Sequence, residues 1–474
     1  MKENQNTIRS NDAFNNAQIE TEQEQEQGSR KCHKKRFLLI LIITILLFLL
    51  FILIIFFYMY RFIEENSVRE KRLTEEEIKI AKYNTVIKLN EINFQTSKNN
   101  YPYNEEHLNK YYNLAYNFFT KLNYTDFSPI SLFSILINIY KAISDKELSE
   151  LLNKILGLNN EELILFYSQI FKNNNFKNSD GEIKISNGAF YNSDRVKENN
   201  LFIEQMSETF TECYKLSYNK DFNFIQEWIN KSLREKKGLS EENIRNKDNV
   251  GILFYSNLYF NQKWEKKFVD EETYIDFFYF DKENKKEVNF MKHSYYVDYY
   301  FDYGKYISFY DFYRNQYSIQ YIVPKSINDN ILDLISDINF IYENETYKSI
   351  GTSIKLSVPK FKIDNEIDFI PILKNMGFEK LFDDNYSTLN NPFIPKYNHK
   401  YYLEQFIQKN IVELNEDGTI IKTKTLASVA VKSAVGDYEL GLEVKLNQPF
   451  IYIIRDINKL PIFIGYIKEP NFLN

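Results

Sequence analysis

The stretch Asn415-Glu416-Asp417-Gly418-Thr419-Ile420-Ile421-Lys422-Thr423-Lys424-Thr425-Leu426-Ala427-Ser428-Val429-Ala430-Val431-Lys432-Ser433-Ala434 decides the reading of this chain. An extended run with Ile411, Val412 and Leu414 precedes it, and between Gly418 and Gly436 it holds neither glycine nor proline. Taken alternately, Thr419, Ile421, Thr423, Thr425, Ala427, Val429 and Val431 share one face and carry no charge. Ile420, Lys422, Lys424, Leu426, Ser428, Ala430 and Lys432 share the other, and every lysine falls there. A strand with one buried face needs this segregation, because successive side chains point to opposite sides of a sheet. An ordinary sheet strand behind a turn at Asp417-Gly418 satisfies the alternation as well, so the rest of the chain has to decide.

Working outward, the 474 residues carry 59 Lys+Arg against 65 Asp+Glu, a net charge of −6 that gives no ground for a nucleic-acid partner. The two cysteines, Cys32 and Cys213, cannot staple a small scaffold, so the fold rests on a hydrophobic core drawn from the 44% of residues that are hydrophobic. The 37 tyrosines and 40 phenylalanines accompany abundant Asn, Ile and Lys and only 13 glycines. That is a bias of the whole chain rather than a ligand-stacking surface.

Residues 1–36 are polar and read as a disordered tail. In Phe37–Tyr60, 20 of 24 residues are Leu, Ile or Phe and none is charged, which predicts a single transmembrane helix. The stretch is longer, and begins later, than the core of a cleaved secretion signal. Lys31, Lys34, Lys35 and Arg36 on its near side place the N-terminus in the cytoplasm, and hence the remainder outside the cell or in a lumen. Glycosylation patterns beyond it mark Asn123, Asn230, Asn344 and Asn385 as candidates, and Cys213 is then a lone thiol with no partner for a disulfide. Residues 61–102 read as a charged stalk in which Thr74 and Glu77 fit a helix-capping box.

From 103 to 474 no linker interrupts the chain. Helical periodicity covers Leu108–Leu122, Ser131–Ile143 and Lys146–Leu156; strand-like runs follow at Gly251–Phe260, Tyr317–Val323, Ser353–Val358, Phe450–Ile454 and Ile462–Ile467. Helices first and strands later, without alternation, predict an α+β domain. No metalloprotease motif, phosphate-binding glycine loop, Cys-x-x-Cys pair or nucleophile elbow occurs, and His33, His107, His293 and His399 lie far apart. The expectation is therefore a protein without metal or cofactor, and not an enzyme.

Several segments, in order, resemble the serpin family. Phe127-Ser128-Pro129-Ile130-Ser131 resembles the start of its second helix, and Ile183–Phe190 one of its sheet strands. Ser256–Phe268 is similar to its block ending in tryptophan and phenylalanine; Val358–Phe361 with Leu373–Gly377 resembles its late proline and methionine-glycine signature. Gln448-Pro449-Phe450, Arg455-Asp456 and Ile462–Gly465 match its last strands, so the resemblance spans nearly all of 103–474.

The resemblance implies a fold with a large antiparallel sheet, further sheets and a cluster of helices, from which residues 416–441 project as a reactive-centre loop. It also implies a monomeric inhibitor that traps a target serine protease as a covalent acyl complex while the cut loop enters the main sheet. Glu416, Gly418, Thr419, Ile421, Thr423 and Thr425 would form the hinge and its inward face. Ser128, Ser131, Ser256 and Gln408 would form the polar cluster where the sheet opens, with Ser256 and Gln408 standing at the family's asparagine and histidine. Counting from Glu416 places the scissile bond between Lys432 and Ser433, suited to a trypsin-like protease. The stretch from Lys432 to Pro449 is longer than usual, so Asp437 and Tyr438 stay open as alternatives. Ile420, Ile421, Lys422, Thr423 and Lys424 stand where inhibitory members carry small residues, and Ile421, which must pack inward, is expected to slow entry into the sheet. That leaves a non-inhibitory binding or chaperone-like role as the competing expectation.

Overall fold

The computed structural model describes residues 50, 51, 59, 82–92, 94, 98–234, 249–335, 340–341, 351–394, 399–421, 442–469 and 471–472. Two units divide the chain, Met1–Lys82 and Tyr83–Asn474. The predicted tail, the apolar stretch Phe37–Tyr60 and the capping box at Thr74 fall in the first unit, outside the described residues save Leu50, Phe51 and Met59. No helix among the described residues is long and apolar enough to cross a membrane. The folded unit starts at Tyr83, earlier than the boundary expected at residue 103. Side-chain clasps hold this polar segment to the domain, and hydrophobic periodicity does not reveal such clasps.

Chain order begins with a short strand, β1 (Ile87–Lys88), followed by helices α1 (Glu105–Lys121), α2 (Pro129–Ala142), α3 (Lys146–Leu156) and α4 (Asn160–Asn173). Each starts on a side-chain cap that satisfies a free amide of the first turn. Ser128 accepts from the Ser131 amide with Pro129 at the first helical position; Asn159 and Glu162 form a reciprocal capping box. Helix α3 ends on Gly157 at φ 74°, a left-handed position that costs glycine nothing. Helix α2 is buried over most of its surface and forms the centre of the domain.

The chain continues through β2 (Phe176–Asn178), β3 (Gly181–Asn192), α5 (Asn200–Glu208), β4 (Thr211–Leu216), α6 (Tyr218–Asp221), α7 (Asn223–Leu233) and β5 (Ile252–Lys263). Strands β6 (Tyr274–Tyr279), β7 (Lys285–Val297), β8 (Tyr300–Asp302), β9 (Tyr306–Phe312) and β10 (Ser318–Pro324) come next, then the helical turn α8 (Ile331–Leu334). The last elements are β11 (Thr352–Pro359), β12 (Phe361–Asp368), α9 (Ile370–Asn375), β13 (Ile407–Asn415), β14 (Gly418–Ile421), β15 (Leu442–Lys445), β16 (Phe450–Arg455), β17 (Pro461–Ile467) and β18 (Asn471–Phe472). The expected α+β class is found, with element ends within a few residues of the periodicity.

Three sheets are present among the described residues. The largest has nine strands in the order β1-β4-β3-β5-β14-β13-β12-β18, with β2 on β3; the others run β17-β16-β10-β9-β8 and β15-β11-β7-β6. The small sheet β16–β17 is buried on both faces, so its strands read as continuous apolar runs rather than as alternation. Arg455 is wholly buried there, and the Gln320 side chain and the carbonyls of Ile341 and Lys459 accept from its guanidinium.

Candidate functional site

The decisive stretch of sequence makes a hairpin within the main sheet. β13 pairs antiparallel with β14 from Asn415–Gly418 to Val412–Ile421, with Glu416 and Asp417 at the turn. On its other edge β14 pairs with β5, Gly418 opposite Lys263 and Ile421 opposite Phe260. The hinge is therefore not a free loop: its first four residues stand inside the sheet, flanked by strands on both sides.

The hinge is anchored residue by residue. Glu416 takes an ion pair from Lys360 at 3.1 Å and a hydrogen bond from the Thr273 hydroxyl at 2.9 Å. Asp417 pairs with Lys267 at 2.8 Å, and the hydrogen bond from Lys267 to that carboxylate raises the ammonium pKa above its ordinary value. The Gly418 requirement is one of close approach, since a Cβ there would collide with the Gln262 carbonyl oxygen. Thr419 is fully buried and its hydroxyl lies 2.6 Å from that of Tyr313, whose ring stacks on Trp264 at 4.5 Å between centroids. Trp264 in turn donates its indole N–H to the Asn415 carbonyl at 2.9 Å. Ile421, expected to resist entering the sheet, is 4% exposed and packed inward.

Below Ile421 no described residue fills the space between β5 and β13. β3 pairs with β5 from Tyr191–Ile252 to Gly181–Gln262, and β12 with β13 from Ile407 to Leu414, but β14 reaches only to Phe260 and Val412. Between Ile252–Leu258 on one side and Ile407–Ile411 on the other lies a cavity of about 540 Å³. Its walls include Leu132, Ile135 and Ile139 of α2 and Ile229 and Leu233 of α7, so the slot passes from the helix behind the sheet to the helix lying over it. Among the described residues no strand pairs with β5 or β13 along these facing edges below Ile421.

The expected polar cluster sits at the wall of this slot, with different internal bonds. Gln408 grips the backbone ahead of α2: its amide oxygen accepts from the Ser128 N–H at 2.7 Å and its amide nitrogen donates to the Ser128 carbonyl at 3.1 Å. The Ser128 hydroxyl lies 3.2 Å from that of Ser131 and donates to the Ile462 carbonyl at 3.1 Å. No hydrogen bond joins Ser256 to Gln408 among the described residues, and the Ser256 hydroxyl is buried without a hydrogen-bond partner there. The amide of Gln408 is turned to one backbone unit, and Ser256 lines the slot beside it.

Of the remaining predicted positions, Thr423, Thr425, Lys432, Ser433, Asp437 and Tyr438 lie outside the described residues, as does Asn344. Asn123 and Asn385 are exposed, whereas Asn230 lies in α7 with its side-chain oxygen buried. Cys213 is buried in β4, and burial pushes its thiol pKa up. The sequence did not disclose Tyr313, Thr273, Lys360 and Lys267 as hinge supports. Tyr313 is one of 37 tyrosines, and lysines are common throughout the chain, so no local signal separates them.

Three sheets and a group of helices, with β14 entering the main sheet only as far as Ile421 between two longer neighbours, define the class of fold. The family profile for serpins (serine protease inhibitors) matches residues 109–470, and the chain belongs to that family. It is 27% identical over 257 residues to alaserpin of Manduca sexta, covering 52% of this chain and 62% of that protein. Serine proteinase inhibitor 1 of monkeypox virus is 26% identical over 291 residues, covering 59% of this chain and 77% of the relative. Among solved structures, the native state of the thermophilic serpin tengpin superimposes with a TM-score of 0.65 at 20% identity, covering 79% of this chain and 96% of tengpin. Serpin48 of Tenebrio molitor gives a TM-score of 0.65 at 17% identity, over 78% of this chain and 100% of that one. Relatives named serine proteinase inhibitors place protease inhibition, not catalysis, at the level of the family.

Proposed function

We propose that this serpin is a single-use trap for a trypsin-like serine protease, with Lys432–Ser433 as the bait bond. It acts as a monomer on the outer or lumenal side of a membrane, held there by Phe37–Tyr60 with its N-terminus in the cytoplasm. The observation that carries the reading is the slot itself, open below Ile421 and already started by Gly418–Ile421.

In the proposed cycle the protease serine attacks the Lys432 carbonyl, the ester forms, and the Ser433 amine leaves with a proton. The freed strand then extends β14 in the register it already holds. Continuing that register, Thr423 comes to lie between Leu258 and Asn410, and Thr425 between Ser256 and Gln408. Lys422 and Lys424 take the outward face, so insertion buries no unpaired charge. Thr425 would supply the partner that the Ser256 hydroxyl lacks. Ile421, the side chain that favoured a non-inhibitory role, occupies its inward place before any cut.

The test mixes the full chain in detergent micelles with trypsin and runs the products on a denaturing gel. A band at the summed mass and a released peptide beginning at Ser433 are expected, and Lys432→Glu should abolish both. Cleavage after Lys432 with no such band would refute trapping and leave the binding or chaperone-like role.

A further inference from the structure

The segment ahead of the first helix is bonded to the free edge of the main sheet, far from the slot. Thr85 donates its amide and its hydroxyl to Asp221 Oδ2 at 2.7 and 2.5 Å, and the Ser217 amide donates to its hydroxyl at 2.9 Å. Ile87 and Lys88 then pair with Lys215 and Tyr214 of β4, and the Leu89 amide donates to the Cys213 carbonyl at 2.8 Å. Asn90 closes the run: its side-chain oxygen accepts from the Cys213 amide at 2.8 Å, and its nitrogen donates to the Thr211 carbonyl and the Ser207 hydroxyl, both at 3.0 Å.

Past Asn90 the attachment passes over to α4 by way of Phe94, which still touches Phe210 just ahead of β4 at 6.1 Å between centroids. Phe94 packs edge-on against Phe171 of α4 at 5.0 Å between centroids, and the Asn99 side chain donates to the Lys172 carbonyl at 3.2 Å. The Tyr101 backbone and the Asn173 side chain exchange hydrogen bonds at 2.9 and 2.8 Å. One end of the segment therefore holds the sheet edge and the other holds the helical body.

Strands β4, β3 and β5 form one hydrogen-bonded block, since β3 pairs with β5 along nearly its whole length and with β4 over its second half, Asn187–Asn192. Widening the slot between β5 and β13 requires that block to slide against the helices behind it. A segment anchored to the outer strand of the block at one end and to α4 at the other resists the slide. We infer that Thr85–Tyr101 is a strap that restrains the main sheet from opening, and so holds the uncut protein in its unfilled state. The inference rests on the proposed loop insertion and adds a device that sets its threshold.

The test uses the full chain in micelles. Thr85→Val with Asn90→Ala removes the clasp at the sheet edge without touching hinge or slot. The uncut double variant should convert about tenfold faster than the wild type to a heat-stable form whose loop is no longer cleaved. If the pair prevents folding, Thr85→Val alone should show a smaller acceleration in the same direction. Hydrogen exchange on the wild type needs no variant: cleavage of the loop should reduce protection of the Thr85, Leu89 and Cys213 amides or of Tyr101. Equal conversion rates, or unchanged protection while cleavage still raises heat stability, would overturn the strap and leave loop insertion intact. Cleavage of the wild type without a rise in heat stability would overturn both.

Discussion

Asp126 shows how much one side chain can carry at the residue scale. It directly precedes the segment Phe127–Ser131, and its backbone carbonyl accepts from the side chains of Asn365 and Asn410, so it ties the start of α2 to β12 and β13. Its carboxyl accepts from the Tyr452 hydroxyl at 3.1 Å and occupies the space that a Cβ on Gly465 would need, so only glycine admits it. Burial pushes its pKa up to about 7. The folded state thus holds this proton more tightly than the unfolded chain, whose carboxyl titrates near the ordinary value of about 4. The contribution to stability is complete below about pH 4, declines as pH rises, and is lost above about pH 7, on the order of 4 kcal/mol in all. Denaturation of the uncut protein should accordingly show stability falling between pH 4 and pH 7, and Asp126→Asn should remove most of that slope. An unchanged slope in the variant would show that other buried groups, Asp456 among them, produce it. Nothing in the sequence marks Asp126, because its partners come from strands near the far end of the chain.

At the scale of the element, the strand that is not yet made is defined by the two that wait for it. The pairing of Ile421 with Phe260 and with Val412 fixes the register of everything that follows, and a slip by one residue would turn Lys422 and Lys424 into the core. Thr425→Arg, placed on the inward face between Ser256 and Gln408, should therefore stop insertion at that point. The expected outcome with trypsin is complete cleavage at Lys432 and loss of the denaturation-resistant band, because burying an unpaired guanidinium costs several kcal/mol. Retention of the band at wild-type yield would mean that trapping does not need the loop to pass the polar cluster. The alternation from Thr419 makes this face legible in the amino-acid order itself, and the buried Thr419 and Ile421 agree with it. The depth of the hinge in the sheet was not legible. It depends on the Thr419–Tyr313 contact, on the close approach of Gly418 to Gln262, and on lysines that reach Glu416 and Asp417 from other segments. The same holds for the attachment of the segment ahead of residue 103: Thr85 and Asn90 are polar residues in a polar segment, and their clasps to Asp221, Cys213 and Ser207 exist only in the folded molecule.

At the scale of the folded unit, the main sheet has a gap below Ile421 among the described residues, and that gap has an energetic consequence. A dry cavity of the slot's volume, about 540 Å³, would correspond to more than about 10 kcal/mol at the cost per Å³ measured for core cavities. The slot opens to solvent and its rim is polar, so the recoverable part is a fraction of that, on the order of 5 kcal/mol, joined by the hydrogen bonds that the facing edges of β5 and β13 would gain. The chain beyond Ser433 is held at β15, which pairs with β11 from Ile354–Leu442 onward. On the proposed reading, a cut between Lys432 and Ser433 would free the upstream strand from that anchor. Calorimetry before and after cleavage should show the denaturation temperature rising by about 10 °C or more, with the cut protein still one folded unit. The rise should disappear in Thr425→Arg while cleavage proceeds, which separates stabilisation by insertion from any effect of the cut itself. A cleaved wild-type protein that melts at the temperature of the uncut one would mean that the slot is a resting feature of the fold, and the function would then lie in what the loop binds rather than in what it traps.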